Sequence, residues 1–331
     1  DRIASLEKEG TMAAVLKNAA ERKTVLKICA VAAAAAILLM LKPFLSKNSS
    51  ADSALKSGTA EVCFVDTGQS DCILIRTEEA AVLIDVGEVG CEGAVCSALE
   101  KRGVSVLSLV VATHPHSDHV GAIADMASVY YDEIRLERVI CNFINDELML
   151  ASDAKAMLNA GSGSVTILRS ALASPARWGN ADNIKPHTCD VLYIDGVTLE
   201  ILHTHEDVYP ETDALLYNNA NSMAFRLSAG GHSALILGDL SGKYMNVIAD
   251  RYGSGLSADI LQPTHHGRTH GSVSVYKLVS PSIVMWDASL ASYNEYKNET
   301  YNKYLIENIP RHYISENGTV TVSMKTLEEI K

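Results

Sequence analysis

Six consecutive residues constrain this chain more than any other feature: His114-Pro115-His116-Ser117-Asp118-His119. They follow an apolar run, Val106–Ala112, whose sequence VLSLVVA suits a strand buried on both faces. A helix is expected from Val120 to Tyr130. Three imidazoles and a carboxylate on one strand-to-helix loop can converge on a point. His114 and His116 share a direction while the loop is extended, and Asp118 and His119 turn inward as the helix begins. These are borderline ligands, suited to zinc, manganese or iron. Ser117 or Asp118 could simply cap the helix, but a cap has no use for three histidines.

Two further loops have the same character. Gly238-Asp239-Leu240 follows the apolar run Ser233–Leu237, and Thr264-His265-His266-Gly267 follows the run ADILQP. A carboxylate at Asp239 could bridge two cations, and a two-metal site can activate water and clamp the group it attacks. The surrounding pattern is strand-rich. Strands are expected at Glu61–Thr67, Asp71–Thr77 and Ala80–Val86, with Gly68 and Gln69 turning between the first two. Helices are expected near 92–102 and over Asp146–Asn159, and 169–190 reads as irregular. Asp195-Gly196 marks a hairpin. Further strands are expected at Ser222–Ser228, Ser233–Leu237, Asp259–Gln262 and Ser282–Trp286, with helices near 242–252 and at Thr300–Glu307. Arg311–Ser315 and Thr319–Met324 read as a closing hairpin across Glu316-Asn317-Gly318. The fold class is therefore α/β (α+β): two packed sheets flanked by helices.

Ahead of this domain lies a different composition. Residues 28–41, ICAVAAAAAILLML, carry no polar side chain and are bracketed by Lys27 and Lys42. With snorkelling lysines, residues 25–45 approach a bilayer span. They read as a membrane anchor, with a cleaved signal segment as the alternative. Residues 1–24 would form a cytoplasmic arm, because Lys8, Lys17, Arg22, Lys23 and Lys27 precede the segment. Residues 46–60 read as a polar linker, and 61–331 as the catalytic domain, placed outside the cytoplasm or, after cleavage, secreted. Charge divides in the same way. Residues 1–60 hold nine basic and five acidic side chains, whereas 61–331 hold 19 and 35. That balance argues against a general electrostatic grip on nucleic acid, though a local basic patch or bound metal could hold phosphate. The seven cysteines are too few for a disulfide scaffold. Cys91 and Cys96 are close enough for a local disulfide or could be ordinary helix-face thiols.

HPHSDH, GDL and THHG, in that order, resemble the metallo-β-lactamase fold superfamily. The opening FVDTGQSDCILIRT…AVLIDVG is similar to the metallo-β-lactamase-like domain of the ComEC family of competence DNA-uptake proteins, and the resemblance covers about 61–324. It implies a four-layer αββα sandwich, preceded here by one apolar helix, with two divalent metal ions (zinc or manganese) at one sheet edge. The implied ligands are His114 and His116 for the first metal, and Asp118, His119 and His265 for the second, with Asp239 bridging. Asp118 and His266 take the catalytic roles, His266 protonating the leaving oxygen. Asp85 corresponds to an early aspartate supporting the histidine loop. Asp66 and Asp71 match the ComEC opening and read as organising a turn.

The chain departs from the pattern in three places. Asn221 stands where many superfamily hydrolases place a third first-site histidine, and an amide oxygen favours manganese or magnesium over zinc. His203 and His205 lie nearby and could substitute for that ligand, but read first as exposed strand-end residues. Arg268 replaces the serine of the family's HHGS and reads either as a phosphate contact or as a surface charge. The family's later glycine-histidine-proline is absent, the stretch reading Tyr296-Lys297-Asn298-Glu299. The function expected is a metal-dependent phosphodiesterase or nuclease-like hydrolase acting on a phosphoester or nucleic acid. The alternatives are an acyl hydrolase, lactonase or β-lactamase on the same fold, or a non-catalytic ComEC-like binding module. No protein partner is legible.

Overall fold

The computed structural model describes residues 60–130, 132–140, 170–172, 174, 178–208 and 218–331. The expected anchor at 25–45, the arm, the linker and the helix expected over Asp146–Asn159 lie outside these residues. No helix among the described residues is long and apolar enough to cross a membrane.

In the first half the strands are β1 (Ala60–Phe64), β2 (Ile73–Thr77), β3 (Ala81–Ile84), β4 (Val106–Leu107), β5 (Leu109–Val111), β6 (Arg135–Leu136), β7 (Arg138–Ile140) and β8 (Asp182–Ile184). The second half adds β9 (Val191–Ile194), β10 (Val197–His203), β11 (Ala224–Ala229), β12 (His232–Ile236), β13 (Ile260–Gln262), β14 (Ile283–Trp286), β15 (Arg311–Ile314) and β16 (Val320–Ser323). They build two seven-stranded sheets, ordered β16-β1-β2-β3-β5-β7-β8 and β15-β14-β13-β12-β11-β10-β9.

Alternation along each strand explains the layering. Val62, Phe64, Ile73, Ile75, Val82 and Ile84 face a core shared with Leu199, Phe225, Leu227 and Ile236 of the second sheet. Their sequence neighbours Cys63, Leu74 and Leu83 face the other way, toward Val95, Leu99, Ile123 and Met126. Those belong to helices α1 (Glu92–Lys101) and α3 (Ile123–Val129), the latter preceded by the single turn α2 (Ser117–Val120). The second sheet's outer face packs likewise on α4 (Gly242–Tyr252), α5 (Val273–Val279) and α7 (Thr300–Asn308), with α6 (Leu290–Tyr296) between α5 and α7 in sequence. Each central strand is thus apolar on both faces, and the result is a four-layer αββα sandwich.

Four expectations are corrected. Val106–Ala112 is not one strand: β4 pairs only with β6 in a separate ribbon, and β5 enters the main sheet. The break is Ser108, whose amide bonds Ala81 O at 2.8 Å. Nor do Arg311–Ser315 and Thr319–Met324 form a hairpin. β15 runs parallel to β14 in the second sheet, whereas β16 runs antiparallel to β1 in the first. The Glu316-Asn317-Gly318 segment is held apart from a hairpin turn by contacts on both sides. Thr319 Oγ1 accepts from Asp66 N at 3.0 Å, Ser315 Oγ donates to Gly68 O, and Glu316 accepts from Leu290 N. The interval 178–190, expected to be irregular, contributes the edge strand β8. The expected helix over 120–130 is split into α2 and α3.

The central strands β3, β5 and β7 are mutually parallel, as are β12, β13 and β14. Loops leaving β3, β5, β12, β13 and β14 therefore gather at one edge, the usual place for ligands in such sheets. Gly121 closes the loop at this edge. A Cβ there would lie 2.3 Å from Ser117 O and 2.4 Å from Val89 N, both backbone atoms that cannot give way. Gly121→Ala is expected to cost about 3 kcal/mol by overpacking. A chemical-denaturation midpoint unchanged from wild type would contradict this.

Candidate metal centre

Each functional side chain leaves the end of a strand. Asp85 follows β3 in a left-handed conformation (φ 52°). Its two oxygens accept from Thr113 N (2.8 Å) and Thr113 Oγ1 (2.7 Å), which pins the start of the histidine loop. Asp85 Oδ2 also lies 2.7 Å from His119 Nδ1. The loop itself is fastened by Asp71 N donating to Asp118 O and by Val86 N donating to His119 O.

On the second sheet, Asp239 follows β12, with its amide bonded to Ser222 Oγ at 3.2 Å. His265 and His266 follow β13, and both have left-handed backbones (φ 53° and 54°), as does Gly267 (φ 75°). Two successive non-glycine residues in that region store strain of order 1–3 kcal/mol each and are held only where neighbours over-determine them. The neighbours here are His265 N on Gly238 O (2.9 Å) and Asn302 Nδ2 on Gly267 O. Trp286 packs so close that a Cβ on Gly267 would lie 2.6 Å from its ring.

These loops bring seven of the expected residues together around the Asp239 carboxylate. His119 Nε2 and His266 Nε2 lie 3.2 and 3.6 Å from Oδ1, and His114 Nε2 and His265 Nε2 lie 3.6 and 3.7 Å from Oδ2. His116 Nδ1 is 3.0 Å from His114 Nε2. Asp118 reaches His266 Nε2 at 3.2 Å and His119 Nε2 at 4.0 Å, and at 27% side-chain exposure it is the accessible carboxylate of the set. The expectation gave His265 to the second metal and left His266 to protonate the leaving group. The geometry puts His266 on the oxygen shared with His119 and in contact with Asp118, and His265 on the oxygen shared with His114. Asn221 is buried immediately before Ser222, and Arg268 is half-buried beside His265.

The electrostatics favour a cation at this point. Burial opposes charge on His119 and His266, yet Asp239 and Asp71 outweigh it and raise both well above the ordinary histidine range. Burial likewise opposes charge on Asp239 and Asp118, and the imidazoles, His119 and His266, reverse it, holding both low. His116 moves the other way, lowered to about 3 by burial and by His114, and His265 falls to about 4 by burial. Their nitrogens are thus neutral and available to a metal. Two atoms meet the fit directly: His119 Nε2 and Asp239 Oδ1 are buried, face each other, and make no hydrogen bond. With Nδ1 of His119 turned to carboxylates behind, nitrogen and oxygen donors of this kind fit a divalent transition metal.

Several participants were not foreseen. Asp71, read as a turn residue, is buried with its carboxylate 3.0 Å from His266 Nδ1. Asp66 does organise the turn, accepting from Gly68 N at 3.3 Å. Gln262 Nε2 donates to Asp71 Oδ2 (2.9 Å), while its Oε1 accepts from Leu237 N and Gly238 N. Asp287, at the end of β14, is buried with neither carboxyl oxygen hydrogen-bonded, and burial with Asp71 nearby pushes it well up. A strand-end position was the one available signal for Asp287 and Gln262. Cys91 and Cys96 stand as separate thiols.

His203 is also corrected: it is buried rather than exposed, with Nδ1 3.1 Å from Ser222 O, and His205 is half-buried. Burial lowers His203 to about 4. The unfolded chain binds its proton near pH 6.5, so folding stability is whole above that pH and falls between 6.5 and about 4. The loss is about 1.4 kcal/mol per pH unit. His203→Gln is expected to flatten this part of the stability–pH curve in urea titrations between pH 7.5 and 4.5. Parallel curves for the two proteins would refute it.

Residues 65–209 match the family model described as the metallo-β-lactamase superfamily. Competence protein ComA of Neisseria gonorrhoeae is 25% identical over 265 residues, a match covering 80% of this chain and 31% of that protein. This chain therefore spans about a third of that relative's length. Among solved structures, the metallo-β-lactamase fold protein YhfI of Bacillus subtilis has a TM-score of 0.49 at 12% identity, covering 80% of this chain and 99% of that one. A diphosphatase of the PhnP family has a TM-score of 0.46 at 12% identity, covering 80% and 98%.

Proposed function

We propose that this metallo-β-lactamase-superfamily chain is a dinuclear metallohydrolase acting on phosphodiesters. The observation that carries the proposal is the division of imidazoles between the two oxygens of Asp239, His119 and His266 on one and His114 and His265 on the other. A carboxylate so shared is what a bridge between two cations requires. Divalent cations there supply Lewis acidity toward the substrate and an acidified water. Residues of the chain do the rest. Asp85 holds the His119 imidazole at Nδ1, and Asp118, open to the mouth, stands ready to accept a proton from water. His266 lies within hydrogen-bond reach of Asp118, so the two act as a pair. Where His266 binds metal, it is Asp118 that moves the proton.

Phosphoryl chemistry is favoured over acyl chemistry by Asn221, which offers an oxygen where a third imidazole would hold zinc firmly. Arg268, beside His265, is available to a phosphate oxygen. The acidic balance of 61–331 points to a small phosphoester or a short single strand more than to long duplex nucleic acid. The relative named as a competence protein is consistent with a nucleic-acid or cell-envelope role. Purified protein is expected to take up two equivalents of manganese or zinc and to hydrolyse bis-p-nitrophenyl phosphate, with manganese supporting more activity than zinc. His116→Ala and Asp239→Ala should each lower turnover at least 100-fold, and Asn221→His should shift the preference toward zinc. Ready hydrolysis of nitrocefin or a lactone, with no phosphodiesterase activity under any metal, would sink the phosphoester assignment.

Residues 25–45 are proposed to anchor the chain, with the hydrolase domain outside the cytoplasm. Their apolar run and the preceding basic residues support this. Membrane fractionation of the full chain, with impermeant labelling of the domain from outside, is the check. Protein found wholly in the cytosol would count against it.

A further inference from the structure

We propose that Asp71 is a positioning residue that aims two metal-facing imidazoles, one from each half of the molecule, with a single carboxylate. The inference rests on the dinuclear reading above and names a residue that reading does not require.

The carboxylate is buried at the start of β2, on the loop between the first two strands. Oδ1 lies 3.0 Å from His266 Nδ1, and Oδ2 lies 3.6 Å from His119 Nδ1. Asp71, His119 and His266 form one cluster whose ligand atoms all lie within 4.8 Å of one another. Each imidazole also has an acceptor of its own: Asp85 Oδ2 for His119 at 2.7 Å, and Asp287 O for His266 at 2.9 Å. Asp71 is the carboxylate that both rings face, in ion-pair range of each Nδ1 without taking a hydrogen bond from it. A ring whose Nδ1 carries the proton keeps the lone pair of Nε2 for a metal, so a negative charge fixed beside Nδ1 favours that tautomer and that ring orientation.

The position of Asp71 is itself registered to the bridging carboxylate. Gln262 Nε2 donates to Asp71 Oδ2, while Gln262 Oε1 takes the amides of Leu237 and Gly238, the two residues before Asp239. The Asp71 backbone is tied at both ends, its N–H to Asp118 O (3.1 Å) and its carbonyl to Gly87 N (2.9 Å). One residue is therefore joined, through backbone and side chain, to the histidine loop, the Asp85 loop, the strand before Asp239 and the His266 turn. A third buried carboxyl beside Asp85 and Asp287 is an expensive choice for packing alone. Facing two Nδ1 atoms, it has a use.

The test is metal binding by the full chain, in detergent if needed. Zinc is titrated by calorimetry into metal-free wild type, Asp71→Asn and Asp85→Asn, and the cobalt(II) absorption spectrum is followed in parallel. Wild type should bind two equivalents. Asp71→Asn should keep one with wild-type affinity and weaken the other about 10–100-fold, the usual effect of removing an outer partner. The cobalt d–d band of that equivalent alone should change. Gln262→Glu, which keeps acceptors for both amides but repels Asp71, should weaken the same equivalent without removing the carboxylate. It guards against misfolding of Asp71→Asn. Unchanged affinity and spectrum in both Asp71→Asn and Gln262→Glu would overturn the proposal. So would equal weakening of both equivalents with a fall in the metal-free thermal midpoint, the mark of a merely structural role. A wild-type chain that binds no metal would overturn the dinuclear reading and this inference with it.

Discussion

One buried carboxylate, that of Asp239, sets the terms for the rest of the site. It is 1% exposed, and an unpaired charge at that depth would cost several kcal/mol. The compensation comes from imidazoles on two different loops, His114 and His119 from the first sheet and His265 and His266 from the second. Neither half can bury its own charges alone. His119 needs Asp239 across the interface as well as Asp85 behind it, and Asp239 needs histidines that its own sheet only partly supplies. The sandwich therefore closes at this edge through electrostatics, and elsewhere through the apolar faces of the two sheets.

That division of labour explains where the chain is strained. The inter-sheet core is built from ordinary strands with alternating side chains. Of the eight non-glycine residues with a left-handed backbone among those described, three lie at the site: Asp85, His265 and His266. At the His265–Gly267 turn, Trp286 and Asn302 press on the glycine from behind, so the helices and strands of the second half stabilise a conformation the local sequence disfavours. The strain separates two adjacent imidazoles, so that one faces each oxygen of Asp239.

Much of this was legible in the residues. The histidine loop, Asp239 and the His265-His266 pair stand out because each follows an apolar strand, and Asp85 stands out through the family pattern. The helices expected near 92–102 and 242–252 and the hairpin turn at Asp195-Gly196 are present. The C-terminal hairpin did not. Two strands around Asn317-Gly318 satisfy every local criterion for pairing, but β14 and β1 offered each of them a better edge. Asp71 was misread for a similar reason: in a sequence, an aspartate beside a glycine-rich turn is a turn residue.

The sequence by itself determined the chemistry available to this protein: which donors exist, that they sit on strand-to-helix loops, and that the strands between them are apolar on both faces. Periodicity and residue type are local properties, and they carry that information. Only the tertiary structure decided which histidine of an adjacent pair meets which carboxylate oxygen, and that Asp71 and Gln262 reach the same point. Those outcomes depend on the dihedral angles of a strained turn and on contacts between residues far apart in the chain, such as Asp71 with Gln262 and with His266. Such contacts arise when two sheets close on one another, and no window of sequence contains them.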